Sequence, residues 1–399
     1  MRKIFIILSF LFILPISVKA AGLGQDLSGQ ILLNVEASGE AWYVYPDNYK
    51  RYYLGRPADA FKIMRELGLG INEIDFQKIA QSGMSVEGDL GLAKRLSGRI
   101  VIRVDKFGEA WYIYPKDLKK YYLGRPSDAF KIMRELSLGI SRENLAKIHK
   151  DGIEESINPY SKYEHKIIDI GTNRFSTDIV TIDLTNPKLK IITDTADSYN
   201  CKTGCQARPL GKYIIENNGF IGINGTYFDT GNSKKNYYFF PVYNTNIEKL
   251  INEDQLKYWT TGPIMAWDEN NKFYYFKDSR EFVGVDNFET TYGVKLQAAI
   301  GNKPRLIEEG MNLLIEWDID EKQRNIKSYR NAIAYKDNTI YLVVARNATV
   351  PDLADIMKEL KVDYALNLDG GYSSALWYND EYMVLPGRDI PNAIIFKEN

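Results

Sequence analysis

The chain has 399 residues, enough for two or three domains, and its 45% hydrophobic and 26% charged residues are typical of a globular protein. Lys and Arg (51) almost balance Asp and Glu (52), and no basic cluster stands out, which excludes nucleic acid as the main partner. The only two histidines, His149 and His165, argue against zinc sites and nucleophile–His triads.

The N-terminus has the pattern of a signal peptide. Arg2 and Lys3 precede an apolar run over residues 4–18, and Val18 and Ala20 place small residues on both sides of Lys19. An uncleaved anchor is the alternative, but the run is shorter than the ~20 residues that a spanning helix needs. We expect residues 1–20 to be removed, leaving a secreted or cell-envelope-associated protein of bacterial type with 48 basic and 52 acidic residues.

The next segment contains a repeat with a period of 69 residues, which relates Trp42 to Trp111. Alternating apolar residues predict three short strands in each copy, and Pro57 or Pro126 then begins a helix. The sequence therefore predicts two small βββα modules, over residues 21–82 and 90–150.

The repeat has a functional and a structural interpretation. Trp42 and Trp111 could bind a cell-wall or envelope polymer, and a duplicated weak site would gain avidity. They could equally form the core of a small unit that needs large apolar residues, and we favour this interpretation for the tryptophans. The pattern resembles tandem repeats on exported bacterial proteins, which names no ligand.

A polar linker is predicted over residues 151–164, and a strand-rich domain over 165–399. The expected pairs are 177–184 with 189–195, 265–267 with 273–276, and 332–335 with 339–344. The expected helices cover 209–218 and the segment capped by Thr349, and a strand follows at 364–368. The fold class is α+β, with a mixed or antiparallel sheet and few helices.

Cys201 and Cys205 are separated by three residues. In an exported chain such a pair predicts a disulfide rather than a metal or redox site. The short loop that it closes gains little entropy, so its expected role is to fix a local excursion.

The segment from Asn367 to Ser374 (Asn-Leu-Asp-Gly-Gly-Tyr-Ser-Ser) directly follows the strand at 364–368. Gly370 and Gly371 permit close approach of the backbone, Asp369 ends the strand, and Ser373 and Ser374 could donate to an anion. A plain tight turn has the same composition, so the segment alone leaves function and turn equally open.

Three further segments carry polar residues at strand ends: Asn224-Gly225 after 220–223, Arg330 before 332–335, and Arg388-Asp-Ile-Pro-Asn392 before the last strand. Together with the Asn367–Ser374 segment, residues 165–397 resemble the phosphodiester glycosidase family, whose lysosomal member removes a GlcNAc cap from mannose 6-phosphate.

The resemblance implies a set of site residues. The positions that match the family are Asn224, Gly225, Gly262, Pro263, Arg330, Asn367, Asp369, Gly370, Gly371, Ser373, Ser374 and Arg388. Thr226 replaces a second glycine, which could narrow the pocket. Tyr372 replaces a small residue and could stack on a sugar.

The implied chemistry is hydrolysis of a sugar-1-phosphodiester. Its leaving group is a weakly basic phosphomonoester, so binding the phosphate matters more than general-acid help. The guanidinium groups of Arg330 and Arg388 suit that task. Asp369 is the first candidate for the carboxylate that activates water or stabilises the oxocarbenium-like centre, with Asn224 and Asn367 beside it.

Other parts of the site are left open by the sequence. Asp229 is a weak candidate for a second carboxylate. No cofactor is indicated, although Asp369 and Asn367 could bind a divalent cation.

The leading hypothesis is an exported hydrolase that cleaves a glycosyl-phosphodiester bond in an envelope glycan or glycoconjugate. The alternative is a non-catalytic envelope glycan-binding protein that uses the same residues as a receptor.

Overall fold

The structure is a computed structural model that describes residues 22–36, 40–54, 57–84, 88–106, 108–124, 126–151, 159–231, 234–258 and 262–398. The chain divides into two units, residues 1–144 and 145–399. The predicted signal peptide and half of the predicted linker, residues 152–158, lie outside the described residues. Within the described ranges, every helix is too short or too polar to cross a membrane.

The N-terminal unit contains two copies of one arrangement. Its elements are α1 (Leu23–Asp26), β1 (Ile31–Asn34), β2 (Ala41–Val44), β3 (Arg51–Tyr53), α2 (Pro57–Leu67), β4 (Leu69–Ile71), α3 (Glu73–Gln77), α4 (Leu90–Arg95), β5 (Ile100–Arg103), β6 (Ala110–Ile113), β7 (Lys120–Tyr122), α5 (Pro126–Leu136) and β8 (Leu138–Ile140), with α6 (Arg142–Ala146) at the boundary. The prolines predicted to begin helices do so in both copies.

The two copies exchange a strand. β4 of the first copy pairs in parallel with β5 of the second, and β8 of the second pairs in parallel with β1 of the first. The hydroxyl of Tyr43 donates to the carbonyl of Gly98 (2.7 Å), and that of Tyr112 donates to Gly29 (2.6 Å). The copies therefore form one interlocked unit, whereas the sequence predicted two separate modules with three strands each.

The repeat tryptophans are buried, at 6% exposure for Trp42 and 7% for Trp111. The ring of Trp42 packs against Tyr53, with a centroid distance of 4.8 Å, and that of Trp111 against Tyr122, at 4.9 Å. This burial supports the core interpretation, because only a small part of each ring is accessible to a ligand.

The C-terminal unit is rich in strands. Its elements are β9 (Ser161–Ile170), β10 (Asn173–Asp183), β11 (Leu189–Thr195), α7 (Leu210–Glu216), β12 (Ile221–Asn224), β13 (Val242–Asn244), β14 (Lys249–Ile251), β15 (Ile264–Asp268), β16 (Phe273–Phe276), α8 (Ser279–Phe282), α9 (Val285–Tyr292), β17 (Leu296–Gly301), β18 (Arg305–Glu308), β19 (Met311–Asn312), α10 (Glu321–Asn325), β20 (Ser328–Lys336), β21 (Thr339–Ala348), α11 (Val350–Glu359), β22 (Tyr364–Leu368), β23 (Leu376–Tyr378), β24 (Glu381–Val384) and β25 (Asn392–Glu398).

These strands form three antiparallel sheets, with the orders β19-β18-β22-β20-β21-β10-β9, β11-β25-β12-β23-β24 and β14-β13-β17-β15-β16. A main core fills the space between the sheets, around Trp267, Ile300, Leu342 and Ile394. A second core packs α11 on the seven-stranded sheet. The α+β prediction is confirmed.

One predicted hairpin is wrong. The strands around residues 177–184 and 189–195 belong to different sheets, since β10 pairs with β9 and β21 while β11 pairs with β25. The connecting turn directs the chain to the other sheet, where the Nδ2 atom of Asn186 donates to Glu398 on β25 (2.9 Å). A turn signal cannot distinguish a hairpin from a change of sheet.

The other predicted pairs are confirmed as β15–β16 and β20–β21. The predicted helices appear as α7 and α11, and Thr349 and Asp352 form a capping box at the start of α11. β9 begins at Ser161, so residues 161–164 belong to a strand rather than to the predicted linker.

Candidate active site

The polar ends of four strands meet where two sheets adjoin. β12 ends at Asn224 and β25 begins at Asn392 in the five-stranded sheet, while β22 leads into Asp369 and β20 carries Asn331 in the seven-stranded sheet. The backbone N–H of Asp369 donates to the carbonyl of Gly225 (3.0 Å), which joins the two sheets at this point.

Asn224 fixes the backbone at the start of the Asn367–Ser374 loop. Its side chain is fully buried and its Nδ2 atom donates to the carbonyl of Asp369 (2.8 Å). Its Oδ1 atom accepts from Asn331 Nδ2 (2.6 Å) and from the backbone N–H of Ala375 (3.1 Å). Because both ends of the amide are bonded to protein, this geometry favours a positioning role over the predicted catalytic one.

Asp369 is partly exposed, and its Oδ1 atom accepts from the backbone N–H of Gly370 (2.9 Å). Burial raises the pKa of Asp369 from 3.8 to about 7, against the opposing influence of Ser373, the Gly370 N–H, Arg388 and Arg330. A carboxyl group with a pKa near neutrality can exchange a proton with water or substrate under ordinary conditions.

Asn367, two residues before Asp369, is fully buried, and its Nδ2 atom donates to the hydroxyl of Tyr227 (2.7 Å). Burial, followed by the charge of Asp369, raises the pKa of Tyr227, so this phenol stays protonated and can donate. Asn302 joins the group, since its Nδ2 atom donates to the carbonyl of Asn367 (2.7 Å).

Two glycines allow close packing at the strand ends, and a threonine forms hydrogen bonds there. A Cβ atom on Gly225 would lie 2.0 Å from Asn392 Oδ1, and one on Gly370 would lie 2.6 Å from the carbonyl of Tyr329. Thr226 donates its N–H to Asn392 Oδ1 (2.8 Å) and accepts at Oγ1 from Asn392 Nδ2 (2.9 Å). The threonine hydroxyl is thus engaged in the interior.

The two predicted phosphate ligands differ in their surroundings. Arg330 is 7% exposed and donates through Nη2 to the carbonyls of Lys322 (3.0 Å) and Ile326 (2.7 Å), and through Nε to that of Ala348 (3.3 Å). These bonds give Arg330 a structural task that the sequence did not predict.

Arg388 is partly exposed and lies over the ring of Tyr372, at 5.5 Å from the centroid. No described carboxylate forms an ion pair with it, although its charge acts on Asp369. Of the two arginines, Arg388 is therefore the one with donors available to a phosphate.

A cleft of about 550 Å³ is bordered by the same loop, and its wall begins two residues after Asp369, at Gly371. Gly371, Tyr372 and Ser374 contribute to its wall, and Gly371 has a left-handed φ of 63°. Tyr372 is 73% exposed, as expected for a surface on which a sugar could stack. Ser374 is 2% exposed, and its Oγ atom has no hydrogen-bond partner in the described part of the chain.

Three other expectations concern Asp229, the two cysteines and a metal site. Asp229 lies exposed in a turn, where its Oδ1 atom accepts from the N–H of Gly231 (2.7 Å). Cys201 and Cys205 form a disulfide, and the Cys201 N–H donates to Asn252 Oδ1 (2.8 Å). Among the described residues, no group of three His, Cys, Asp or Glu side chains is arranged to hold a metal ion.

Sequence reasoning missed Tyr227, Asn302 and Asn331, and it gave Asn392 no role beyond a place in the polar segment before the last strand. Tyr227 and Asn331 are close in sequence to residues that were identified, Asn224 and Arg330, so their position at strand ends was an available signal. Asn302 carried no such signal, because its role depends on a contact with β22 that is remote in sequence.

Comparison with known proteins bears on this site. Residues 217–397 match the family model described as phosphodiester glycosidase, and this range contains the whole cluster. This segment of the C-terminal unit carries the phosphodiester glycosidase domain. Members of this family are hydrolytic enzymes.

Solved structures with partial similarity to this chain include a hypothetical protein from Synechocystis. It shares 13% identity at a TM-score of 0.49, over 61% of this chain and 63% of the other. Another is the catalytic domain of zebrafish N-acetylglucosamine-1-phosphodiester alpha-N-acetylglucosaminidase, auto-inhibited by its pro-peptide, with 15% identity, a TM-score of 0.48 and coverage of 61% and 85%. No curated protein sequence matches significantly.

Proposed function

We propose that the C-terminal unit hydrolyses a glycosyl-phosphodiester bond in an exported glycan or glycoconjugate of the cell envelope. The observation that carries the proposal is the carboxyl group of Asp369, which is partly exposed in the loop that borders the cleft and has its pKa raised to about 7 by burial. The match to the phosphodiester glycosidase family supports the reaction class.

In the proposed reaction, ionised Asp369 accepts a proton from a water molecule. The oxygen of that water bonds to the anomeric carbon while the bond from this carbon to the phosphate oxygen breaks. The phosphomonoester leaves with the bonding electrons, and it needs little protonation because it is a weak base. Arg388 stabilises the negative charge that develops on it, as charge-assisted hydrogen bonds from guanidinium groups do.

The Asn224–Asn331 pair has a positioning role in this proposal. Both amides hold the carbonyl of Asp369, at 2.8 and 2.9 Å, so the backbone that carries the carboxyl group is fixed before substrate binds. Such fixed geometry reduces the entropy that the reaction must lose.

The test is to incubate the purified protein with a panel of sugar-1-phosphodiesters and to measure release of the free sugar. We expect release by the wild type, a loss of about 10²–10⁴-fold for Asp369→Asn, and no change for Asp169→Asn. Asp169 is a matched control because it is an exposed aspartate that pairs with Arg174 at the surface. Saturable binding of the panel without release would instead support the receptor alternative.

A further inference from the structure

The cleft bordered by the Asn367–Ser374 loop has one charged wall residue among the described residues, Arg346. The residues that line the cleft within the described ranges are Ser328, Tyr329, Arg346, Asn347, Gly371, Tyr372, Ser374, Leu385 and Gly387. None of them is acidic, and the remainder are apolar or neutral polar groups. An anion that enters this cleft therefore meets a guanidinium group without a competing carboxylate on the wall.

Arg346 forms an ion pair with a buried carboxylate, that of Asp178. Its Nε and Nη2 atoms both donate to Asp178 Oδ2, at 3.0 and 2.6 Å. The carboxylate of Asp178 is fully buried and also accepts at Oδ1 from the Tyr163 hydroxyl and His165 Nδ1, both at 2.8 Å. A buried carboxylate with this many partners is stable and restricts the guanidinium to one orientation.

The Ser176 hydroxyl completes this group at 3.2 Å from His165 Nε2. The sequence argued against a Ser–His–Asp arrangement, yet these three residues are placed in that order. Because Asp178 also binds Arg346, we assign the arrangement to orienting the arginine.

Arg346 retains hydrogen-bonding capacity toward the cleft. Its side chain is 38% exposed, and no described residue accepts a hydrogen bond from its Nη1 atom. The buried hydroxyl of Ser374 on the same wall also lacks a partner in the described chain. A buried hydroxyl without a hydrogen bond is costly, so this group is expected to bind water or a ligand atom.

Two tyrosines that line the cleft, Tyr329 and Tyr372, each lie against an arginine. The guanidinium of Arg346 lies 5.6 Å from the ring centroid of Tyr329, and that of Arg388 lies 5.5 Å from that of Tyr372. If Arg388 binds the phosphate of the bond that is cleaved, Arg346 is available for another oxyanion on the same substrate molecule.

We propose that Arg346, with the hydroxyl of Ser374, binds a second oxyanion of the substrate, distinct from the phosphodiester that is hydrolysed. This inference rests on the proposed function and narrows its substrate class to anionic glycans, such as those with a phosphate or carboxylate on a neighbouring unit. Asp178 is the positioning residue that orients Arg346 through their ion pair.

The test compares three synthetic donors that differ only beyond the scissile bond, with a neutral, a phosphorylated or a carboxylated neighbouring unit. For Arg346→Gln we expect kcat/KM to fall about 10–100-fold for the preferred anionic donor and less than about threefold for the neutral donor. The phosphate and carboxylate arms identify which oxyanion is preferred. Arg174→Gln, which removes an exposed surface arginine, should change none of the three.

Two further measurements test the oxyanion site separately from folding and from turnover. Arg346→Lys preserves a positive charge beside Asp178 but not the guanidinium fork, so it should fold and still lose the preference. Calorimetric titration of the Asp369→Asn protein with the phosphorylated and carboxylated donors measures binding without turnover. If the wild-type protein hydrolyses no donor but binds the anionic donors in a way that depends on Arg346, the proposed hydrolysis is refuted and the oxyanion site is not.

An equal effect of Arg346→Gln on all donors, or no effect on any, would overturn the second oxyanion site. Asp178→Asn should raise KM for the preferred anionic donor and leave kcat for the neutral donor within about threefold, because of the partners of this carboxylate only Arg346 lines the cleft. A fall in kcat for the neutral donor without a change in KM would contradict this positioning role.

Discussion

Replacement of Asp369 by Asn separates catalysis from stability, because the two should change in opposite directions. The carboxyl group accepts from the Gly370 N–H at 2.9 Å, and an asparagine oxygen can keep that bond. The substitution removes the ionisable group and hence its ability to accept a proton from water. Activity should therefore fall about 10²–10⁴-fold.

The stability effect follows from the raised pKa. A rise from 3.8 to about 7 corresponds to about 4 kcal/mol, and solvent around the partly exposed group reduces this to about 2 kcal/mol. A carboxyl group whose pKa is raised by folding contributes stability at low pH and loses it as pH rises through the folded pKa. As pH rises from about 4 to about 8, the free energy of unfolding of Asp369→Asn should increase by about 2 kcal/mol relative to that of the wild type.

The assay is urea unfolding of both proteins across this pH range, together with kcat/KM of the wild type. For a group that activates water, kcat/KM should rise with pH and level off above about pH 7. Asp169→Asn serves as the control and should follow the wild type in both measurements. A difference in stability that does not vary with pH, or a kcat/KM that falls as pH rises through neutrality, would refute the reasoning.

Four other substitutions test the surrounding structure by urea unfolding, and for Arg388→Ala also by steady-state kinetics. Asn224→Ala should cost about 2–4 kcal/mol because it leaves a buried backbone N–H without an acceptor; a cost below about 0.5 kcal/mol would contradict the network. Arg330→Ala should cost about 3 kcal/mol, and Arg388→Ala should mainly raise KM with little loss of stability; the reverse pattern would show that their roles are exchanged. Tyr112→Phe should cost about 1 kcal/mol by removing a bond between the repeat copies, and an unchanged midpoint would contradict that contact.

In the N-terminal unit the elements of each repeat copy could be predicted from the sequence, but the pairing of two strands could not. Alternating residues and prolines predicted the strands and helices of each copy, because those patterns are local. The exchange of β4 and β8 was not predictable, since a three-residue Leu-Gly-Ile strand fits either sheet equally well. Which sheet it joins depends on the chain path after α2 and α5.

The same distinction applies to the site. Asp369 and the glycines could be identified as candidates because three further polar segments resemble the same family, whereas the Asp-Gly-Gly segment alone fits a tight turn equally well. The partners of Arg330 could not be identified, because three backbone carbonyls on other segments accept its hydrogen bonds. A sequence shows that a guanidinium is present, but tertiary packing decides whether it faces the interior or a ligand.

The most direct test of the proposed function is to locate the bond that breaks. A sugar-1-phosphodiester that the protein hydrolyses is incubated in water labelled with heavy oxygen, and the released phosphomonoester is analysed by mass spectrometry. Attack at the anomeric carbon predicts an unlabelled phosphomonoester, with the label in the sugar. Label in the phosphomonoester would show cleavage at phosphorus and contradict the glycosidase mechanism.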